Sequence, residues 1–386
     1  MDARTGSDAA LSTETLVIGA GPAGLAVSAC LRKIGRPFVL LEQADAVGSS
    51  WRNHYERLHL HTVKEHSGLP FLPFPDDVPR YPSRADVVAY LDTYARTLDL
   101  RPRFGERVVR ATPSGAGFHV ETERARFDAR NLVVATSYNG EPHIPEWPDQ
   151  GTFAGRILHS REYKNGAPFR DKDVLVVGIG NSGGEIAIDL VEHGARTGIV
   201  VRGPVHVMPR DALGVPAQKF GLFLSKLPLV LADRIGLCLA RLFTGDLSRF
   251  GLQRPTMGPA SQVVRLGRIP LIDIGTIDLI RRGRITVVPE IARFEATGVV
   301  LRDGSKRKAD AIVLATGFRP RLDRFLPCAA DVTDERGYPR IHGEEVRRDG
   351  IRGLYFLGFR NPITGMLREI HLEALRIARS IARDAT

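Results

Sequence analysis

Cysteine is scarce in this chain. Cys30, Cys238 and Cys328 lie far apart among 386 residues, and no two form a CxxC pair. That spacing argues against a disulfide framework and against a thiol-redox centre. Long apolar runs are absent too. A membrane-spanning helix needs roughly 20 such residues. The richest stretch, Leu222 to Phe243, is broken by Lys226, Asp233, Arg234 and Arg241. It reads as a cavity-lining helical pair, with a membrane-surface helix as the other reading. Met1 to Glu14 is polar and lacks the apolar core of a signal peptide, so the cytoplasm is the expected location. Carboxylates are outnumbered, 44 acids against 54 bases, for a net charge of +10. The bases are mostly arginine and scattered, so nucleic acid is not an expected partner. The excess suits polyanionic cofactors and an anionic small-molecule substrate. No metal-ligand cluster and no nucleophilic triad is evident.

What is present is one phosphate-binding signature, twice. The first copy is Gly19-Ala20-Gly21-Pro22-Ala23-Gly24, after the apolar run Thr15 to Ile18. The second is Gly178-Ile179-Gly180-Asn181-Ser182-Gly183, after Val174 to Val177. Each leaves a strand-like run and enters a helix-like one, the context that gives this motif meaning. The first glycine allows a tight turn, the second lets the backbone approach a pyrophosphate, and the third lets helix pack on strand. The helix N-terminus then offers free N–H groups to the anion. Two such loops imply two dinucleotides.

The strand after each loop separates the ligands. Pro37 to Leu41 ends in Glu42, where a carboxylate holds a ribose 2′-hydroxyl. Gly198 to Val201 ends in Arg202, where a cation suits the 2′-phosphate of NADP. The first half therefore suggests FAD and the second NADPH. The expected fold is α/β, with two Rossmann-like dinucleotide-binding domains. A helix is expected over residues 84–94 with Ser83 as its cap, and strands over 107–122, 131–136, 284–289, 299–301 and 353–358. Ala309 to Gly317 nearly repeats the pattern of Asn131 to Ser137, as if each nucleotide fold ended in a similar strand. A last helix over 364–383 would return to the first domain. The NADPH domain, 151–302, is thus expected as an insertion into a split FAD domain, 1–150 and 303–386. A substrate-lining segment is expected at about 210–270.

Between the loops, Phe153-Ala154-Gly155-Arg156-Ile157-Leu158-His159-Ser160-Arg161-Glu162-Tyr163 reads FxGxxxHxxxY. On this motif and the ordered loops, the chain resembles the class B flavin-dependent monooxygenases. Within the flavin-containing monooxygenase family it is most similar to the YUCCA-type indole-3-pyruvate monooxygenases and their bacterial relatives. Leu69 to Pro75, Tyr90 to Ala95, Val207 to Arg210, Leu252 to Pro255, Ile272 to Thr276 and Ala315 to Phe318 carry the closer likeness.

The resemblance implies that NADPH reduces FAD and that the reduced flavin takes up O2 as a C4a-(hydro)peroxide. One oxygen atom then passes to substrate. It also implies residue roles. Gly19 to Gly24 hold the FAD pyrophosphate and Glu42 the adenosine ribose. Ser50 and Trp51 lie against FAD, although Gly48-Ser49-Ser50-Trp51 has lost the family's second glycine. Gly178, Gly180, Asn181, Ser182, Gly183, Gly184, Glu185 and Arg202 hold NADP, with Gly317 also at the cofactors. Phe153, Gly155, His159 and Tyr163 shape the hinge; His159 is also carried as a catalytic candidate, with direct proton chemistry its less favoured role. Animal-type members place an asparagine beside the flavin and the nicotinamide ribose. Here His61 takes that place, between Leu60 and Thr62, as in the YUCCA branch. Ser137 replaces the glycine of the first Ala-Thr-Gly.

Three reactions stay open at this level. One is oxidative decarboxylation of a 2-oxo acid such as indole-3-pyruvate. Another is N- or S-oxygenation of a soft nucleophile. The third is a non-oxygenating NADPH:flavin oxidoreductase. Baeyer–Villiger chemistry is disfavoured, because Tyr163-Lys164 stands where those enzymes carry Trp-Pro.

Overall fold

The structure, a computed structural model, describes residues 10–115 and 117–383. Most of Met1 to Glu14, the segment expected to lack a signal peptide, lies outside the described residues.

Two parallel sheets organise the chain. The C-terminal ends of strands Leu11–Ile18 and Arg126–Val134 are short buried apolar runs with no polar alternation, the pattern of a sheet covered on both faces. The first sheet runs in the order Glu345–Arg348, Ile351–Phe356, Arg126–Val134, Leu11–Ile18, Phe38–Glu42, Arg103–Phe104. All these neighbours are parallel except the pair at Glu345–Arg348, and the hairpin Val108–Ser114/Gly117–Thr122 joins its side. The second sheet is wholly parallel, in the order Ile285–Val288, Arg196–Val200, Asp173–Val177, Ala311–Leu314, Arg156–His159. In each, the strand order reverses beside the strand that enters a glycine loop. Such a switch point opens a crevice at the strand ends, where nucleotides bind in these folds.

The third-glycine rule is visible as a contact. A Cβ on Gly24 would stand 1.7 Å from the Gly19 carbonyl oxygen, and one on Gly183 would stand 1.9 Å from that of Gly178. Only glycine lets helices Pro22–Lys33 and Asn181–Glu192 pack so closely on their strands. The terminal helix, Met366–Arg383, returns to the first sheet. Its buried face, Ile370, Ala374, Ile377 and Ile381 at helical spacing, packs in one core with Leu25, Ala29 and Leu40.

The expected crossing back at 303 is too early. Ala311–Leu314 pairs with Asp173–Val177 and Arg156–His159, so it completes the second sheet. Its apolar run is a central strand in both readings; only pairing tells which sheet it joins. The helix over 84–94 is found as Arg84–Thr97, with Ser83 and Asp86 forming a capping box. Helices Ala217–Leu224, Leu229–Thr244, Pro259–Leu266 and Thr276–Arg281 fall between strands Arg196–Val200 and Ile285–Val288. No described helix is long and apolar enough to cross a membrane.

Candidate active site

A cavity of about 1060 Å³ runs between the two sheets. It begins at the first glycine loop, where Gly19, Gly21, Pro22 and Ala23 line it, and passes Glu42 at the neighbouring strand end. It continues past Ser50, Trp51, Tyr55, Leu60, His61 and Thr62. Asn181 and Ser182 of the second loop meet it from the other side, and helix Ala217–Leu224 closes it.

The two loops fit anionic groups. At Gly21 and at Gly180 an added Cβ would meet nothing within 4 Å, so the backbone there is open to close approach. Both residues cap helices that have no side-chain cap, which leaves the first N–H groups without a partner from that source. Ala20 and Gly24 sit behind this surface. Glu42 is 5% exposed, and its carboxylate accepts the Ala20 N–H at 2.8 Å and the Ala44 N–H at 3.0 Å. These bonds fix its direction and leave lone pairs for a ligand. Ser49, in place of the family's glycine, occupies the first turn of helix Ser49–Arg52, where no glycine is needed. Its hydroxyl reaches the Glu42 carboxylate at 3.4 Å.

His61 is the centre of the second cluster. Its Nε2 lies 2.9 Å from Oε1 of Glu185, which is 1% exposed on the second loop's helix. The pair is out of hydrogen-bonding alignment, and the buried ring nitrogens and carboxylate oxygens have no aligned partner among the described residues. Tyr55 packs against the same carboxylate. Burial, and then the charge of Glu185, hold its phenol well above the ordinary value. Orphaned buried polar atoms facing a cavity are a site that a polar ligand would complete.

The linker motif is structural. A Cβ on Gly155 would fall 2.4 Å from the Phe153 ring and 2.5 Å from the Asp310 carbonyl oxygen. The Tyr163 hydroxyl donates to the buried Asp189 at 2.6 Å. His159 does not line the cavity and is 1% exposed. Its Nε2 donates to the Gly317 carbonyl at 3.0 Å, while Nδ1 accepts the Arg161 N–H at 3.2 Å. That pairing is the neutral tautomer with both nitrogens engaged, and burial lowers its pKa. Through these bonds His159 ties the strand Arg156–His159 to the loop at Gly317, away from the cavity. Gly184 packs on Thr276 and Leu271, and Gly178 on the Ala315 carbonyl. Arg202 is exposed, just past the end of strand Arg196–Val200 and outside the cavity lining. Its charge helps depress the His143 pKa, after burial and Arg319.

One residue escaped the sequence reading. Gln218, 3% exposed, accepts the Val63 N–H at 3.0 Å and donates to the Thr364 carbonyl at 2.7 Å. A lone amide on the apolar side of a helix was its only signal.

Comparison with known proteins adds the family. The model described as pyridine nucleotide-disulphide oxidoreductase matches residues 16–212. The chain is 42% identical over 352 residues to Indole-3-pyruvate monooxygenase YUCCA1 of Oryza sativa subsp. japonica, covering 89% of this chain and 86% of that one. This chain belongs to the class B flavin-dependent monooxygenases. The flavin-containing monooxygenase of Stenotrophomonas maltophilia superposes with a TM-score of 0.75 at 26% identity, covering 97% of this chain and 100% of that one. A steroid monooxygenase bound to NADP shares the fold, with a TM-score of 0.77 at 22% identity over 97% of this chain and 86% of that one. As a monooxygenase of this family the protein is an FAD-dependent enzyme, with FAD and NADPH as cofactors. No cysteine lines the cavity, and burial pushes the Cys30 thiol up to about 12.

Proposed function

We propose that this flavin monooxygenase decarboxylates a 2-oxo acid of the indole-3-pyruvate kind. The carrying observation is the 42% identity, over most of both chains, to a protein named for that reaction. The 2-oxo acid, NADPH, a proton and O2 give the acid one carbon shorter, CO2, NADP+ and water. FAD, when bound, takes two electrons from NADPH and activates O2.

The residues divide that work. The first sheet and its loop hold FAD, with the pyrophosphate at Gly19 to Gly24, the adenosine ribose at Glu42, and Ser50 and Trp51 along the flavin. The second sheet holds NADPH, at Gly178 to Glu185, with Arg202 reading the 2′-phosphate. His61, with Glu185 beside it, faces the reacting end between Leu60 and Thr62. Helix Ala217–Leu224 excludes water from that end. The FAD part of the chain ends near residue 150 and resumes after Leu314.

The test is turnover of NADPH and O2 by the FAD-loaded enzyme with indole-3-pyruvate, with products identified. Indole-3-acetate and CO2 in step with NADPH consumption support the reading. Oxidised amine or thioether in a parallel panel, with no acid from the 2-oxo acid, rejects it in favour of N- or S-oxygenation. Release of all the oxygen as H2O2 whatever the substrate marks a non-oxygenating oxidoreductase.

A further inference from the structure

The chain passes between the two sheets twice, and the two crossings pair with each other. Glu141–Pro142 lies on the way out of the first sheet, and Phe318–Arg319 on the way back. They form a short antiparallel ladder with Arg319 opposite Glu141. His143 follows and is tied to the same loop. Its N–H donates to the Gly317 carbonyl at 2.9 Å, and its carbonyl accepts the Thr316 hydroxyl. This junction lies at the carboxyl end of the second sheet. Leu314, Val177 and Val200 stand in register at the ends of neighbouring strands. Thr316 and Arg202 each come two residues later, on either side of the strand that enters the second glycine loop.

Cations gather there without a counter-ion. Arg319 and Arg202 both act on the His143 imidazole, where their charges add to burial in lowering its pKa. Neither guanidinium has a hydrogen bond or an ion pair among the described residues. The carboxylate opposite Arg319 is already taken, since Glu141 pairs with Arg321 and with Arg324, each at 3.3 Å. Such a concentration of one sign at a strand end attracts an anion from outside the chain.

The position selects the anion. Asn181 and Ser182 of the second loop line the cavity, while Arg202, Arg319 and His143 lie outside its lining. A dinucleotide whose pyrophosphate rests on that loop extends its adenosine ribose toward the end of the next strand. That strand is Arg196–Val200, which leads to Arg202. We propose that Arg319 joins Arg202 in binding the 2′-phosphate of NADPH. A phosphate monoester has acceptors enough for two guanidinium forks. The inference rests on the assignment of the second loop and Arg202 to NADPH made above. It makes the crossing strand, as well as the sheet, a reader of the group that separates NADP from NAD.

The experiment titrates the FAD-loaded enzyme with NADP+ and with NAD+, substrate absent, and reads Kd by calorimetry. R319Q should weaken NADP+ binding about tenfold, the loss of one hydrogen bond to a charged group, and leave NAD+ binding unchanged. R319K keeps the charge without the fork and should fall between. Retained FAD shows that both variants are folded. Equal weakening of the two cofactors by R319Q overturns the proposal, because a residue that only braces the crossing does not read the 2′-phosphate. R202Q separates the two assignments. A selective loss of NADP+ in R202Q with none in R319Q overturns the proposal and leaves Arg202 in place. An unchanged preference in both variants overturns both. None of these outcomes depends on which substrate is oxidised.

Discussion

Glu373 is 1% exposed on the terminal helix, and burial pushes its carboxyl up to about 7. In the unfolded chain it releases its proton near the ordinary value of 4.5. Between those values the native state binds the extra proton, so stability falls as pH rises and levels off above about 7. Glu373→Gln stays neutral throughout. Urea unfolding should find variant and wild type alike near pH 4, with the variant ahead by up to about 3 kcal/mol near pH 8. An unchanged gap between the two pH values would remove Glu373 as the titrating group. Ser137 is a second residue-scale test. It holds φ at +69°, a left-handed conformation that costs a non-glycine residue about 1 kcal/mol. Ser137→Gly should raise the unfolding free energy by about that amount, less the added chain entropy of glycine. Serine thus stands here in a conformation that glycine adopts at lower cost.

At the scale of elements, much was legible because local chemistry decided it. Each glycine loop needs glycine at its third position for a contact inside a single βα unit, and sequence spacing reports such contacts. Gly183→Ala should therefore disrupt the second loop far more than Gly180→Ala, since a Cβ at 180 meets nothing in the protein. Soluble yield and unfolding midpoint would show Gly180→Ala near wild type, with its effect confined to a weaker Kd for NADPH. Pairing between distant elements was less legible. Ala311–Leu314 has the composition of a central strand in either sheet, and hydropathy holds no record of its neighbour. The motif preserved the position of His159 and its local bond to Arg161, while its hydrogen bond to the Gly317 carbonyl comes from a distant segment whose approach no spacing encodes.

At the scale of the whole molecule, polar ties join the two halves beside the cavity, and Gln218 is a buried case. Its amide joins helix Ala217–Leu224 to Val63 on one side and Thr364 on the other, linking the second sheet's inserted helices to two segments of the first. Gln218→Leu preserves bulk but strands a buried N–H and a carbonyl, a cost of about 1–3 kcal/mol for each group left unpaired. The cheapest relief is for the helix to lift and admit water. If this helix keeps water from the flavin, the variant should retain FAD and NADPH oxidation while diverting a larger share of oxygen to H2O2. Peroxide measured against NADPH consumed reports that share directly. A variant with lowered stability and wild-type coupling would show that Gln218 only braces the fold, and that the water barrier lies nearer Leu60 and His61.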